Sequence, residues 1–205
     1  MSARQLDDPV LGRDDKREWV SYQVKGNLLA ARPRYVREKW GEAAVMDVAS
    51  RLDPAVRPLF EREVLPFSWH SFGALGAIDK AIVDGPMGGN MALMKHFGAT
   101  IARYDLSTLY KMLFKLGSPD FIVRRVGVVY RTYVKGGGMA AADVHRGEAF
   151  VRLSEGSLPR YFCGFGVPGW FTAALELSGG KRVDVDEVEC IHTGAARCVW
   201  RARWE

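Results

Sequence analysis

Val183–Trp204, VDVDEVECIHTGAARCVWRARW, carries two of the three cysteines, Cys190 and Cys198. Cys163 lies upstream, and the first 162 residues contain no cysteine. Val183, Val185 and Ile191 share one parity, as in a strand. Cys198, Trp200, Ala202 and Trp204 share one parity in a second strand, with Arg197, Arg201 and Arg203 opposite. A loop at 193–195 pairs residue 192 with 196 and sets Cys190 across from Cys198. Directly opposed residues hold their Cβ atoms roughly 4.5–5.5 Å apart. Two thiolates at that spacing can share a tetrahedral Zn²⁺ with bonds of about 2.3 Å. Along a regular strand Glu187 and Cys190 point to opposite faces, so Glu187 can join them only through a bulge. Parity alone favours His192 as a further ligand.

Working outward, 205 residues with 48% apolar and 11% aromatic content build one domain with a sizeable core. The net charge is +5, but basic and acidic residues are interleaved. No helix-turn-helix, finger or arginine-rich arm is present, so nucleic acid is not an expected partner. The start, MSARQLDD, lacks the apolar run of a signal peptide, and no stretch is long enough for a membrane span. A cytoplasmic location follows as the expectation. An odd count of three cysteines then favours reduced or metal-bound thiols over disulfides.

Residues 1–16 are polar without apolar period and read as a flexible arm, leaving 17–205 as a single domain. Helical spacing covers Val36, Trp40, Ala43, Ala44 and Val48, with Pro33 at a first helical position. Further helices are expected over 54–64, 68–83 and from Asn90 to about Asp105. Two more follow, Thr108 to Leu116 and one opened by Ser118-Pro119. Gly136-Gly137-Gly138 marks a switch to strands. Met139 to Val144 and Ala149 to Leu153 form a hairpin, and a helix beginning near Ser157 carries Cys163. The sum is an α+β fold, a helical N-terminal layer packed on an antiparallel sheet.

The pattern Glu187-x-x-Cys190-x-x-x-Gly194-x-x-x-Cys198, followed by alternating aromatic and basic residues, resembles the end of a 4-vinyl-reductase-type (V4R) domain. From Val24-Lys25-Gly26 onward the order of segments is similar to the wider V4R, haem-NO-binding and TRAPP-type superfamily. The resemblance implies a structural zinc held by Cys163, Glu187, Cys190 and Cys198. It therefore favours Glu187 where parity favours His192. It also implies a buried small-molecule site between helices and sheet.

The helical half is rich in Met87, Met91, Met94, Met112 and in Phe67, Trp69, Phe97, Tyr104, Tyr110 and Phe114, an adaptable lining for a flat apolar guest. The segments from Met91 to Phe97 and from Tyr104 to Phe114 are expected to roof the pocket, with His96 and Tyr104 orienting the ligand. The Tyr-x-Ser-x-Arg signature of haem-NO sensors is absent, so haem is not expected. No nucleophile elbow, Walker loop, Rossmann fingerprint or paired-carboxylate spacing appears. The expected function is a non-enzymatic sensor of a small hydrophobic, aromatic-type ligand. It would signal through a protein partner and pair as a homodimer. The alternative is a ligand-free scaffold.

Overall fold

In the computed structural model, which describes residues 8–108 and 117–205, a helical layer packs on antiparallel sheet. Helix α1 is Gly26–Trp40, followed by α2 Glu42–Ser50, α3 Pro58–Glu61, α4 Phe72–Asp84 and α5 Leu93–Thr108. Past the undescribed 109–116 come α6 Pro119–Arg124 and α7 Val126–Tyr133. The expected helix from Thr108 to Leu116 falls almost wholly outside the described residues. Ser71 and Ser118 cap α4 and α6, their hydroxyls accepting from the amides of Ala74 and Phe121. The expectation for Pro33 is corrected. It lies inside α1, whose N-terminus reaches back to Gly26.

Three short strands, β1 Gln23–Lys25, β2 Trp69–Ser71 and β3 Val134–Lys135, form a sheet in the order β2-β1-β3. Strands this short carry no readable alternation. The second sheet holds β4 Gly138–His145, β5 Glu148–Glu155, β6 Asp184–Glu189 and β7 Val199–Arg203, in the order β4-β5-β7-β6. Helix α8, Val167–Leu177, lies between β5 and β6 in sequence and packs against α5. That packing is close. A Cβ on Gly169 would stand 1.9 Å from the Lys95 carbonyl oxygen, and one on Gly98 would stand 2.4 Å from that of Gly166. Residues 8–16 lie beside the turn before α8, where the amide of Tyr161 donates to the carbonyl of Val10 at 2.9 Å.

A polar pair is buried between α1 and α5. Asn27 is 9% exposed and Asp105 5%. Burial pushes the Asp105 carboxyl up from 3.8 to about 6, against the opposing pull of Asn27 and Arg32. Asn27 Oδ1 and Asp105 Oδ2 have no hydrogen-bond partner among the described residues. Because the folded pKa is raised, the folded state holds the extra proton. The carboxyl's favourable contribution is complete below pH 3.8 and is lost as pH rises through about 6. An Asp105→Asn variant should therefore melt above wild type at pH 8, by on the order of 2–3 kcal/mol. The gain should shrink on acidification towards pH 4. Thermal melts across that range read it, and a pH-independent difference would reject the assignment.

Candidate functional site

The terminal hairpin forms between β6 and β7, with Asp186 opposite Arg201 and Glu187 opposite Trp200. The register then shifts, so that Glu189 faces Val199. This bulge at Val188 lets Glu187 and Cys190 share a side. A 3₁₀ turn, Ile191–Thr193, and the left-handed Gly194 close the loop. The face predicted to be inward is buried, with Cys198 and Trp200 at 0% exposure and Ala202 at 2%.

Cys163 arrives from the other side on a π-helical turn, Phe162–Gly166, that leads into α8. Trp200 Nε1 donates to the Cys163 carbonyl at 2.7 Å and pins the turn to the hairpin. The Sγ atoms of Cys163 and Cys198 stand 3.4 Å apart, and those of Cys198 and Cys190 stand 3.9 Å apart. With a carboxylate oxygen of Glu187, the four ligand atoms lie within 4.8 Å of one another. A tetrahedral centre with bonds of about 2.3 Å to sulfur sets its ligands about 3.8 Å apart. The geometry is therefore that of a metal-competent cluster.

Burial holds the Cys163 thiol well above its usual value, while hydrogen bonds from Cys163 and then Cys190 draw Cys198 down to about 4. Burial pushes the Glu187 carboxyl up to about 7. Arg160 Nη1 donates to Glu187 Oε2 at 2.7 Å, whereas Glu187 Oε1 is buried with no hydrogen-bond partner among the described residues. A cation would satisfy that oxygen and the crowded sulfurs together. His192 lies outside this set. Its Nδ1 accepts from the amide of Arg13 at 3.2 Å, and its Nε2 lies 2.8 Å from the Leu158 carbonyl.

A second feature adjoins the cluster. Leu28, Val126, Val129, Tyr130, Tyr133, Val134, Met139, Phe162, Val167, Trp170 and Phe171 line a hollow between α1, α7 and α8. It measures about 520 Å³ with its open mouth, of which about 70 Å³ is void large enough for water. Its lining is apolar, and the Tyr130 hydroxyl turns to the Gly136 carbonyl at 2.9 Å. Phe162 and Cys163 are adjacent on the π turn, so one short segment touches hollow and cluster alike. π turns of this kind are frequent at functional sites.

Neither residue expected to orient a ligand lines this hollow. His96 is exposed, with its ring 6.2 Å from that of Tyr35. The Tyr104 hydroxyl donates to Glu38, and the Arg34 guanidinium stacks 3.9 Å from its ring. Met94 and Phe97 are core, while Tyr110, Met112 and Phe114 lie outside the described residues. The lining residues of α7 and α8 that sequence reasoning missed carry one signal, the apolar period through Val126 and Val129.

No protein-family model matches the chain, and no curated protein does. Solved structures do. An H-NOX protein from S. oneidensis in the Fe(II)NO ligation state aligns over 88% of this chain and 99% of its own, at 17% identity and a TM-score of 0.68. A structure probing heme distortion in the H-NOX family covers 88% and 95% at 14% identity and 0.64. An oxygen-binding H-NOX domain related to soluble guanylate cyclases, in its oxygen complex, covers 88% and 95% at 12% identity and 0.63.

These matches correct two expectations. The V4R assignment rested on a tail motif and a diffuse similarity in the order of segments, whereas the structural likeness to H-NOX domains spans 88% of the chain. Zinc was expected from the cysteine spacing and from that assignment, and the metal named for the solved neighbours is the iron of Fe(II) and heme instead. The hollow of this chain does not offer the usual seat of a haem. None of its four histidines and no cysteine lines the hollow, and among the described residues no cationic side chain does. Of the side chains that hold haem iron, the hollow offers only Met139 and the two tyrosines, and the Tyr130 hydroxyl is turned to the Gly136 carbonyl. A void of about 70 Å³ also falls far below the roughly 300–1,000 Å³ of drug-sized pockets. At 8–17% identity the likeness speaks of architecture, and the chain has the fold of the H-NOX domains.

Proposed function

We propose that the chain is a non-enzymatic sensory domain that binds a small apolar molecule in the hollow between α1, α7 and α8. The same proposal has Cys163, Glu187, Cys190 and Cys198 hold a metal ion that braces the terminal hairpin, and output passes by association with a partner protein. The observation that carries the reading is the apolar surface that lines the hollow, with the Tyr130 hydroxyl turned away to the Gly136 carbonyl. The like-folded neighbours, in their NO and oxygen complexes, support placing a small guest in this architecture. The lining here selects by shape and desolvation, which suits a compact hydrocarbon or monoaromatic. An apolar cavity of about 150 Å³ holds benzene, so a ring would need the open mouth or a side-chain shift.

A ligand present at 100 times its Kd stabilises by roughly 2.7 kcal/mol. For a chain of this size that is a melting shift of about 5–10 °C. A thermal-shift series of small aromatics, fatty acids and tetrapyrroles should give that rise for the compact apolar compounds and none for haem. Val129→Phe, which adds bulk to the lining, should abolish it. No shift in any class would leave the scaffold reading, which the small free volume favours.

A further inference from the structure

The outer face of the β2-β1-β3 sheet is basic and aromatic. Gln23, Lys25, Trp69, Ser71 and Lys135 share it by register, while Val24 and Val134 on the opposite face are buried. Trp69 is held between two ammonium groups, Lys25 Nζ at 4.4 Å and Lys135 Nζ at 4.2 Å from its ring. Lys16, Lys80 and Lys95 each reach a carboxylate. Lys25 and Lys135 form no ion pair among the described residues. Beside them projects the turn Leu65-Pro66-Phe67, with Leu65 72% and Phe67 63% exposed.

This turn is fixed rather than loose. The amide of Gly26 donates to the Ser68 carbonyl at 2.9 Å, and that of Asn27 to the Pro66 carbonyl at 3.1 Å. The Ser68 hydroxyl donates to the Leu65 carbonyl at 2.6 Å. A Cβ at Gly26 would stand 2.1 Å from the Leu65 oxygen, so the turn lies hard against the start of α1. The backbone is satisfied by the protein, and the apolar side chains are held out into water. Such an arrangement lowers the ordering cost of burying them elsewhere.

We propose that this face docks on an anionic lipid surface, with Leu65 and Phe67 entering between headgroups, Trp69 at headgroup level and Lys25 and Lys135 on lipid phosphates or carboxylates. A convex turn needs a partner that yields around it, and a bilayer does. Tryptophan favours the membrane interface, and basic side chains with an apolar body reach from it to the headgroups. The two ammoniums, with no carboxylate partner among the described residues and Lys25 Nζ donating only to the Phe67 carbonyl at 3.4 Å, select negative charge. No helix among the described residues is long and apolar enough to cross a membrane, so the contact is peripheral.

Co-sedimentation of the full chain with phosphatidylcholine vesicles, with and without phosphatidylserine, tests this. The protein should pellet with the anionic vesicles only, and less so as salt is added. A paired Lys25→Gln, Lys135→Gln change should weaken partition about 25-fold, roughly fivefold per lysine. Leu65→Ser with Phe67→Ser should abolish it. Met46→Ser, which removes an equally exposed apolar side chain on α2, should not. Unchanged melting temperatures show that the variants fold. The proposal is overturned if the wild type stays in the supernatant, or if the variants pellet as it does. Capture by an acidic peptide resin without vesicle binding also overturns it, and assigns the face to a protein partner.

Discussion

Asp79→Ala should lower the melting temperature by roughly 6–20 °C, the largest single-residue effect expected outside the cysteines. Asp79 on α4 is fully buried, and Arg32 on α1 is 2% exposed. Arg32 donates to both carboxylate oxygens of Asp79, from Nε and Nη2, each at 3.0 Å. The Tyr161 hydroxyl adds a third bond to the same carboxylate at 2.6 Å. Arg32 Nη1 donates to the Leu28 carbonyl at 2.6 Å, and the guanidinium lies 5.1 Å from the Phe97 ring. Truncating Asp79 leaves a guanidinium charge buried without its partner. Breaking a pair of this kind costs about 3–5 kcal/mol. In a chain of this size each kcal/mol moves the melting point by roughly 2–4 °C.

The comparison that isolates burial is Glu42→Ala. It breaks the Arg37–Glu42 pair, whose side chains are 52% and 60% exposed. Such surface pairs contribute about 0–1 kcal/mol. A drop for Asp79→Ala no larger than for Glu42→Ala would show that the Arg32 cluster is wet. The double change Arg32→Met, Asp79→Leu should recover much of the loss, because an apolar pair removes the stranded charge along with its partner.

That cluster also shows where the sequence stops being readable. Arg32 and Asp79 are 47 positions apart, and neither carries a local sign of burial. The terminal hairpin is the opposite case. Period-2 alternation told which face of Cys198 to Trp204 turns inward, because the pattern is local. The bulge at Val188 left no such mark, so strand parity pointed to His192 until the register shift set Glu187 beside Cys190. The α+β layering follows from alternating helical and strand periods. The three-stranded sheet does not, since strands of two or three residues hold no period. Pro33 misled for a related reason. Its ring marks a usual helix start, yet burial of Leu28, Leu29 and Arg32 extends α1 before it. The hollow was unreadable because its walls come from α1, α7, β3, β4 and α8, and no one stretch encodes it. The tail motif described one hairpin, and family membership does not follow from one hairpin.

Chelation should act through that hairpin, and its pH dependence provides the sharpest test of the four-ligand cluster. Protein prepared without chelator is expected to hold about one metal ion per chain, with elemental analysis reading both its amount and its identity. An ion present at 1,000 times its Kd adds about 4.1 kcal/mol. Stripping it should therefore lower the melting temperature by roughly 8–16 °C. Cys198→Ser should do the same and leave no further effect of chelator. Glu187→Ala should weaken retention, whereas His192→Ala should spare it, since both ring nitrogens of His192 are engaged elsewhere. In the metal-free protein Glu187 has a folded pKa raised from 4.5 to about 7. Its contribution is complete below 4.5 and is lost as pH rises through about 7. With the ion bound, the donors are deprotonated and the folded state binds fewer protons than the unfolded chain, so stability is lost as pH falls. The difference between loaded and stripped protein should thus widen steadily from pH 5 to pH 7. Asp105 titrates alike in both forms and cancels. A difference that stays flat across that window, or Cys198→Ser protein that retains the full metal content, would remove the cluster as a metal site.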